Sequence, residues 1–134
     1  MEYTLKEKKK IMGNLLRKIV SMRNRDKTRK NTVISVNEDI KDKEYLAALE
    51  KQDRILEADL LSAAFDILLP VESQTVRNAI LRIYSSGNVT QELYDVADEL
   101  QIGTTKLQKD IDNALRYEAD FSVIREYRLE NKLG

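Results

Sequence analysis

The sequence predicts an all-α fold of five or six helices, and three observations predict it. Apolar residues recur at 3.6-residue spacing in successive windows, and turn-forming residues such as Pro70 and the Ser-Ser-Gly-Asn run at 85–88 separate those windows. Only residues 32–36, Thr-Val-Ile-Ser-Val, can be read as a short strand or extended segment.

The first window, residues 4–22, places Leu5, Ile11, Met12, Leu15, Leu16, Ile19 and Val20 on one side and fills most of the other with lysine and arginine. It reads as a basic amphipathic helix that tolerates Gly13, at a cost of up to ~1 kcal/mol relative to alanine. The next stretch, residues 23–31 (RNRDKTRKN), has almost no apolar content and reads as a flexible basic loop. Residues 42–69 form a long helix, with Leu46, Leu49, Ile55, Leu56, Leu60, Ala63, Ala64, Ile67 and Leu68 keeping the helical rhythm. Pro70 ends that helix or starts the next. A helix over 72–84 then buries Val76, Ala79, Ile80 and Ile83. Thr90 caps a third through Leu100, with Leu93, Val96, Ala97 and Leu100 inward. Thr104 or Thr105 caps a fourth, over about 104–117, that carries Leu107, Ile111, Ala114 and Leu115. The tail beyond Asp120 reads as more helix, its apolar side made of Phe121, Ile124, Tyr127 and Leu129 or Leu133.

Composition narrows the function. The 134 residues contain no cysteine and no histidine, which removes disulfides, thiolate nucleophiles, cysteine-ligated metal, and the commonest general base and metal ligand. Carboxylate pairs such as Asp98-Glu99 and Asp110-Asp112 do not face each other on a helix. The expectation is a protein that is not an enzyme and has no cofactor, no metal site and no catalytic residue. No apolar run approaches the ~20 residues of a spanning helix, and none follows the basic start as in a secretory signal. The expectation is a soluble, cytosolic-type protein, away from membranes.

A net charge of zero hides a division along the chain. Residues 1–30 hold eleven basic against three acidic groups, net +8, and the remaining 104 residues hold twelve against twenty, net −8. Two readings follow: a basic arm that meets phosphates, or an arm that folds back onto the acidic remainder. The domain division that goes with the first is a basic N-terminal helix and flexible arm over 1–41, followed by a helical domain over 42–134.

Within that domain, Leu69, Pro70, Arg77, Ala79, Ile80, Leu81 and Tyr84 are followed by a turn at Gly87 and then by LYDVADELQIGTTKLQKDIDNAL. Val96 and Ala97, Leu100 and Ile102, and Leu107 and Ile111 stand at the apolar, small and turn-flanking positions of two helices crossing steeply. Residues 69–119 thereby resemble region 4 of the bacterial sigma factors, a helix-turn-helix unit. The size and layout of the chain are similar to those of phage late-expression regulators of the autolysin-regulator (ArpU-type) and RinA-type families. The resemblance implies a transcription regulator, phage or prophage encoded, that reads duplex DNA with a second helix over about 104–117. That family has glycine where this chain has Gln101, a turn position that favours positive φ. It often has arginine where this chain has Asp110, and Asp110 and Asp112 would oppose phosphate unless they point away from it.

On that reading Thr104, Thr105, Lys106, Gln108 and Lys109 reach base edges or flanking phosphates, with Gln108 the candidate for adenine. Arg23, Arg25, Lys27, Arg29 and Lys30, with Lys8, Lys9, Lys10, Arg17 and Lys18, would neutralise phosphates without reading sequence. The plainer alternative makes the threonines helix caps and the cations a solvated surface. Tyr45, Tyr84, Tyr94, Tyr117 and Tyr127 read as edges of the core. The partners expected are double-stranded DNA, RNA polymerase or another host protein, and a second copy of the chain through the leucines of the long helix. Two other functions stay open: a helical protein-interaction module that does not bind DNA, and a DNA-packaging subunit resembling a small terminase.

Overall fold

Thr4 and Glu7 open the first helix with a reciprocal cap: the Thr4 amide donates to Glu7 Oε1 at 3.1 Å and the Glu7 amide to Thr4 Oγ1 at 3.2 Å. These bonds from Thr4 hold the Glu7 carboxyl below its ordinary range. The computed structural model describes residues 3–33 and 40–129, by backbone alone over 25–33 and 40–46. Helix α1 (Leu5–Val33) buries Met12, Leu15, Leu16, Ile19 and Met22, a stripe at three- and four-residue spacing. Val20 is off that stripe and 40% exposed, against the sequence reading.

The expected loop over 23–31 is helical instead, and so are Thr32 and Val33; Ile34, Ser35 and Val36 lie outside the described residues. The physical reason is cooperativity. Lysine and arginine are good helix formers, the stretch has neither glycine nor proline, and a helix already anchored by packing extends at little cost.

Helix α2 (Ile40–Leu68) starts two residues earlier than expected and, among its described side chains, buries Leu60, Ala63, Ala64, Ile67 and Leu68 of its C-terminal half. Leu49 and Leu56 are half-buried, Ile55 is exposed, and the side chain of Leu46 lies outside the described residues. The Val71 amide donates to the Leu68 carbonyl at 3.0 Å, turning the chain past Leu69 and Pro70. Helix α3 (Gln74–Ser85) starts two residues later than expected, because the Ser73 hydroxyl caps it by accepting from the Val76 amide. It buries Ala79, Ile80, Ile83 and Tyr84 and leaves Val76 half-exposed.

Helix α4 (Val89–Leu100) is capped by Asn88, not Thr90: the Asn88 carboxamide accepts from the Gln91 amide at 3.1 Å. Val96 and Ala97 are buried and Leu93 half-buried, while Leu100 is 37% exposed because the helix ends there and its last turn projects outward. Helix α5 (Thr104–Asn113) buries Leu107 and Ile111. The expected helix to 117 is completed by a π-helical turn, Ala114–Glu118, closed by the Ala119 amide on the Ala114 carbonyl at 2.8 Å. Asp120 then donates its amide to the Ile67 carbonyl at 2.9 Å, tying this end of the chain to α2.

The tail is a single turn, α6 (Val123–Glu126), rather than a long helix. Arg128 at φ 54° reverses the chain and lets the Leu129 amide reach the Ile124 carbonyl, so Leu129 is fully buried. Tyr127 is half-buried and donates its hydroxyl to Asp66, which pushes its pKa up; Leu133 lies outside the described residues. One core joins α1 to all the later elements. Among the described residues all regular structure is helical, and no helix is long and apolar enough to cross a membrane.

Candidate nucleic-acid interface

Three residues, 101–103, separate α4 from α5, and the backbone there fixes how the two helices meet. Gln101 takes the left-handed conformation, φ 57° and ψ 42°, and the Ile102 amide returns to the Ala97 carbonyl at 3.1 Å. That bond satisfies an end carbonyl of α4 and draws half-buried Ile102 beneath the turn. The expectation of positive φ at this position holds, on a glutamine, and Gly103 has an ordinary φ of −68°.

From the other side, Arg82 of α3 holds α4 at two points. It donates Nε to Glu92 at 2.6 Å and both terminal nitrogens to Glu99 at 2.5 and 2.9 Å. The Glu99 carboxyl is held below its usual range by these bonds, and Arg82 is held all the more firmly protonated by Glu99 and then Glu92.

The pair forms an open groove of about 560 Å³, which Thr104, Thr105, Gln108 and Lys109 line together. Neither threonine caps α5; Gly103 stands at the N-cap with no side-chain bond, and the first-turn amides are left without a side-chain acceptor. Lys106 is on another face, 3.3 Å from Asp110 one turn on. Gln108 is turned inward. Its Nε2 donates to Asp112 at 2.7 Å, and its side chain is hydrogen-bonded to the Tyr84 hydroxyl. A base could recruit Gln108 only by breaking these bonds, which weakens the case for adenine readout.

The acids that opposed a phosphate partner have cations of their own. Asp110 is paired with Lys106, and Asp112 accepts from Lys9 of α1 at 2.8 Å. Sequence reasoning missed Tyr94 and Arg116, which line the same groove. The signal for Arg116 was available, since 105, 109, 112 and 116 recur at helical spacing. Tyr94 and Tyr117 are 57% and 74% exposed, not core edges: they sit off the apolar stripes of their helices. Tyr84 does belong to the core, and the Tyr45 side chain lies outside the described residues.

Among the described side chains of the basic first segment, Lys8, Lys9, Arg17 and Arg23 bond within the chain. Arg23 donates to Glu57 of α2 at 2.7 Å, and Arg17 folds back on its own helix, its Nε donating to the Gly13 carbonyl at 3.0 Å. The groove is not lined by Arg23, and the side chains of Arg25, Lys27, Arg29 and Lys30 lie outside the described residues.

Chemically the groove offers hydroxyls, carboxamides, one ammonium, one guanidinium and the Asp112 carboxylate, which is paired with Lys9; the donors are of the kind that hold phosphate and hydrogen-bond base edges. No group of three or more acidic side chains close enough to hold a metal ion occurs among the described residues. No family model, no curated protein and no solved structure matches the chain.

Proposed function

We propose that the chain is a DNA-binding transcription regulator, phage or prophage encoded, in which α4 and α5 act as a helix-turn-helix and α5 enters the major groove. The observation that carries this reading is the exposed side of α5 and of the π-helical turn after it: Thr105, Lys109 and Arg116 line one open groove with Thr104, while Leu107 and Ile111 anchor the opposite side of α5 in the core. The left-handed Gln101 adds support, because this is the turn position where the sigma region 4 pattern has glycine. Thr104, Thr105 and Lys109 are the contacts we favour for bases and phosphates, with Lys106 at the rim.

Fluorescence anisotropy against a duplex from DNA flanking the gene and a scrambled duplex, each at two salt concentrations, tests it. Tighter binding to the first duplex that survives the higher salt is the expected result, with Lys109→Gln weakening both complexes while leaving the melting temperature unchanged. Equal binding that vanishes with salt would reduce the reading to general polyanion affinity.

One observation favours a second reading, a protein-interaction module. Phe65 and Leu69 of the α2 end are 63% and 70% exposed beside Leu81, over an apolar groove of about 230 Å³ between α2 and α3. The sequence reading offers a host protein and, on the leucines of the long helix, a second copy; this groove lies at the C-terminal end of that helix, and a second copy here is the occupant we propose. Sedimentation at micromolar concentration showing only a 15.5 kDa species would remove it.

A further inference from the structure

Helix α2 carries a second stripe, on the side opposite the one that enters the core. Leu60, Ala63, Ala64 and Ile67 are buried, while Ile55, Ala58, Ser62 and Phe65, with Leu69 just past the helix end, are all exposed. These five recur at alternating steps of three and four residues, the spacing by which one helix packs along another, and only Ser62 among them is polar. Ile55 is 56% exposed, and Phe65 and Leu69 more so. The leucines that the sequence reading offered to a second copy are used differently: Leu60 is buried, and Leu49 and Leu56 are half-buried.

The two flanks of the stripe differ in charge. Asp59 and Asp66 each follow a stripe residue and stand on one flank; Arg54 precedes Ile55 and stands on the other. Asp66 accepts from the Tyr127 hydroxyl, and Arg54 reaches Glu50 at 3.8 Å with its side chain 65% exposed, so both keep their charge at the surface. A helix that is basic on one flank and acidic on the other complements a parallel copy of itself. In register, Arg54 of each copy meets Asp59 of the other, five residues on, whereas an antiparallel pair turns the acidic flanks toward each other. Lys51, the next position of the stripe toward the N-terminus, would meet its own copy and sets the limit of the contact.

We infer that the outer face of α2 over residues 55–69 is a dimer interface, in which two copies of the chain pair their α2 helices parallel and in register. The inference rests on the reading above that a second copy covers Phe65 and Leu69, and it gives that copy an orientation and a longer contact. The same surface patch is used by both copies, as a two-fold symmetric pair requires.

The test combines Ala58→Glu in sedimentation with Ile55→Cys under oxidation. Both positions are exposed in the single chain and outside the groove between α2 and α3, and the parent has no cysteine of its own. The parent is expected at twice 15.5 kDa at micromolar concentration, and Ala58→Glu at 15.5 kDa with unchanged helix content. Ile55→Cys is expected to form a disulfide-linked dimer, because parallel helices in register bring the two Cα atoms within the roughly 4.4–6.8 Å that a disulfide spans. Arg54→Glu raises the dissociation constant a few-fold, and Asp59→Arg in the same chain restores it. A dimer that persists in Ala58→Glu overturns the inference, and its loss in Leu69→Glu would then leave the second copy seated in the groove. A crosslink that forms only when Ile55→Cys and Phe65→Cys chains are mixed shows an antiparallel pair and also overturns it. A parent that sediments only at 15.5 kDa removes the inference and the reading it rests on.

Discussion

Along α1, Lys8, Lys9 and Arg23 are each bonded to a distant part of the chain, whereas on the α5 face Lys109 is exposed and no ion pair holds it among the described residues. In the first segment, Lys8 and Lys9 of a core helix bond to neighbouring elements. On α5, Lys109 faces outward while Asp110 and Asp112 are occupied by Lys106 and Lys9. Charge counted along a sequence therefore does not say which charges a partner can reach; the pairing of each group in the fold decides that.

The largest expected effect breaks the comparison at α1. Leu15 is fully buried, and Leu15→Ala should cost about 3 kcal/mol in urea unfolding with an unchanged m-value. An appended arm would lose nothing.

A smaller effect sharpens the other side, where Tyr84 of α3 lies against α5. Burial first, and the Asp112 charge second, push its hydroxyl pKa from 10.0 up to about 12. The folded chain thus holds this proton more tightly than the unfolded chain, so the contribution to stability is complete below pH 10 and is lost as pH rises from there toward about 12. Chemical denaturation across that range should show the loss, and Tyr84→Phe should remove that part of it.

The smallest effect is a gain. Gln101→Gly relieves the cost of a left-handed non-glycine residue, roughly 1–2 kcal/mol, against the chain entropy of glycine, so a net rise of up to ~1 kcal/mol is expected in thermal melts. DNA affinity should not change.

Much of the fold was legible in the residues. Helical spacing located most of the buried residues from Met12 to Ile124, missing Met22, Val71 and Val123 and adding exposed Val20, Ile55 and Leu100, and the position of Gln101 was recognised as a turn that favours positive φ. The errors have physical causes. A basic stretch without apolar residues reads as loop, yet α1 carries it as helix because propagation from a packed start is inexpensive. Caps were misassigned at Thr90 and at Thr104 or Thr105 because Asn88, two residues before Thr90, and Gly103, just before Thr104, take the N-cap position. In the candidate site, Thr104, Thr105, Gln108 and Lys109, singled out by their position in the motif, line one groove. The inward bonds of Gln108 were not legible, because one of its partners, Tyr84, comes from another helix.

The chain has six tyrosines and no tryptophan, and their surroundings give it built-in optical reporters. Tyr84 is enclosed in the core while Tyr94 stands in the groove at 57% exposure. Tyrosine emission from the unlabelled protein therefore combines a sheltered and an accessible population, separable by iodide quenching. A ligand seated on α5 would shield the second and leave the first unaltered, so occupancy of the groove can be followed without attaching a dye to it.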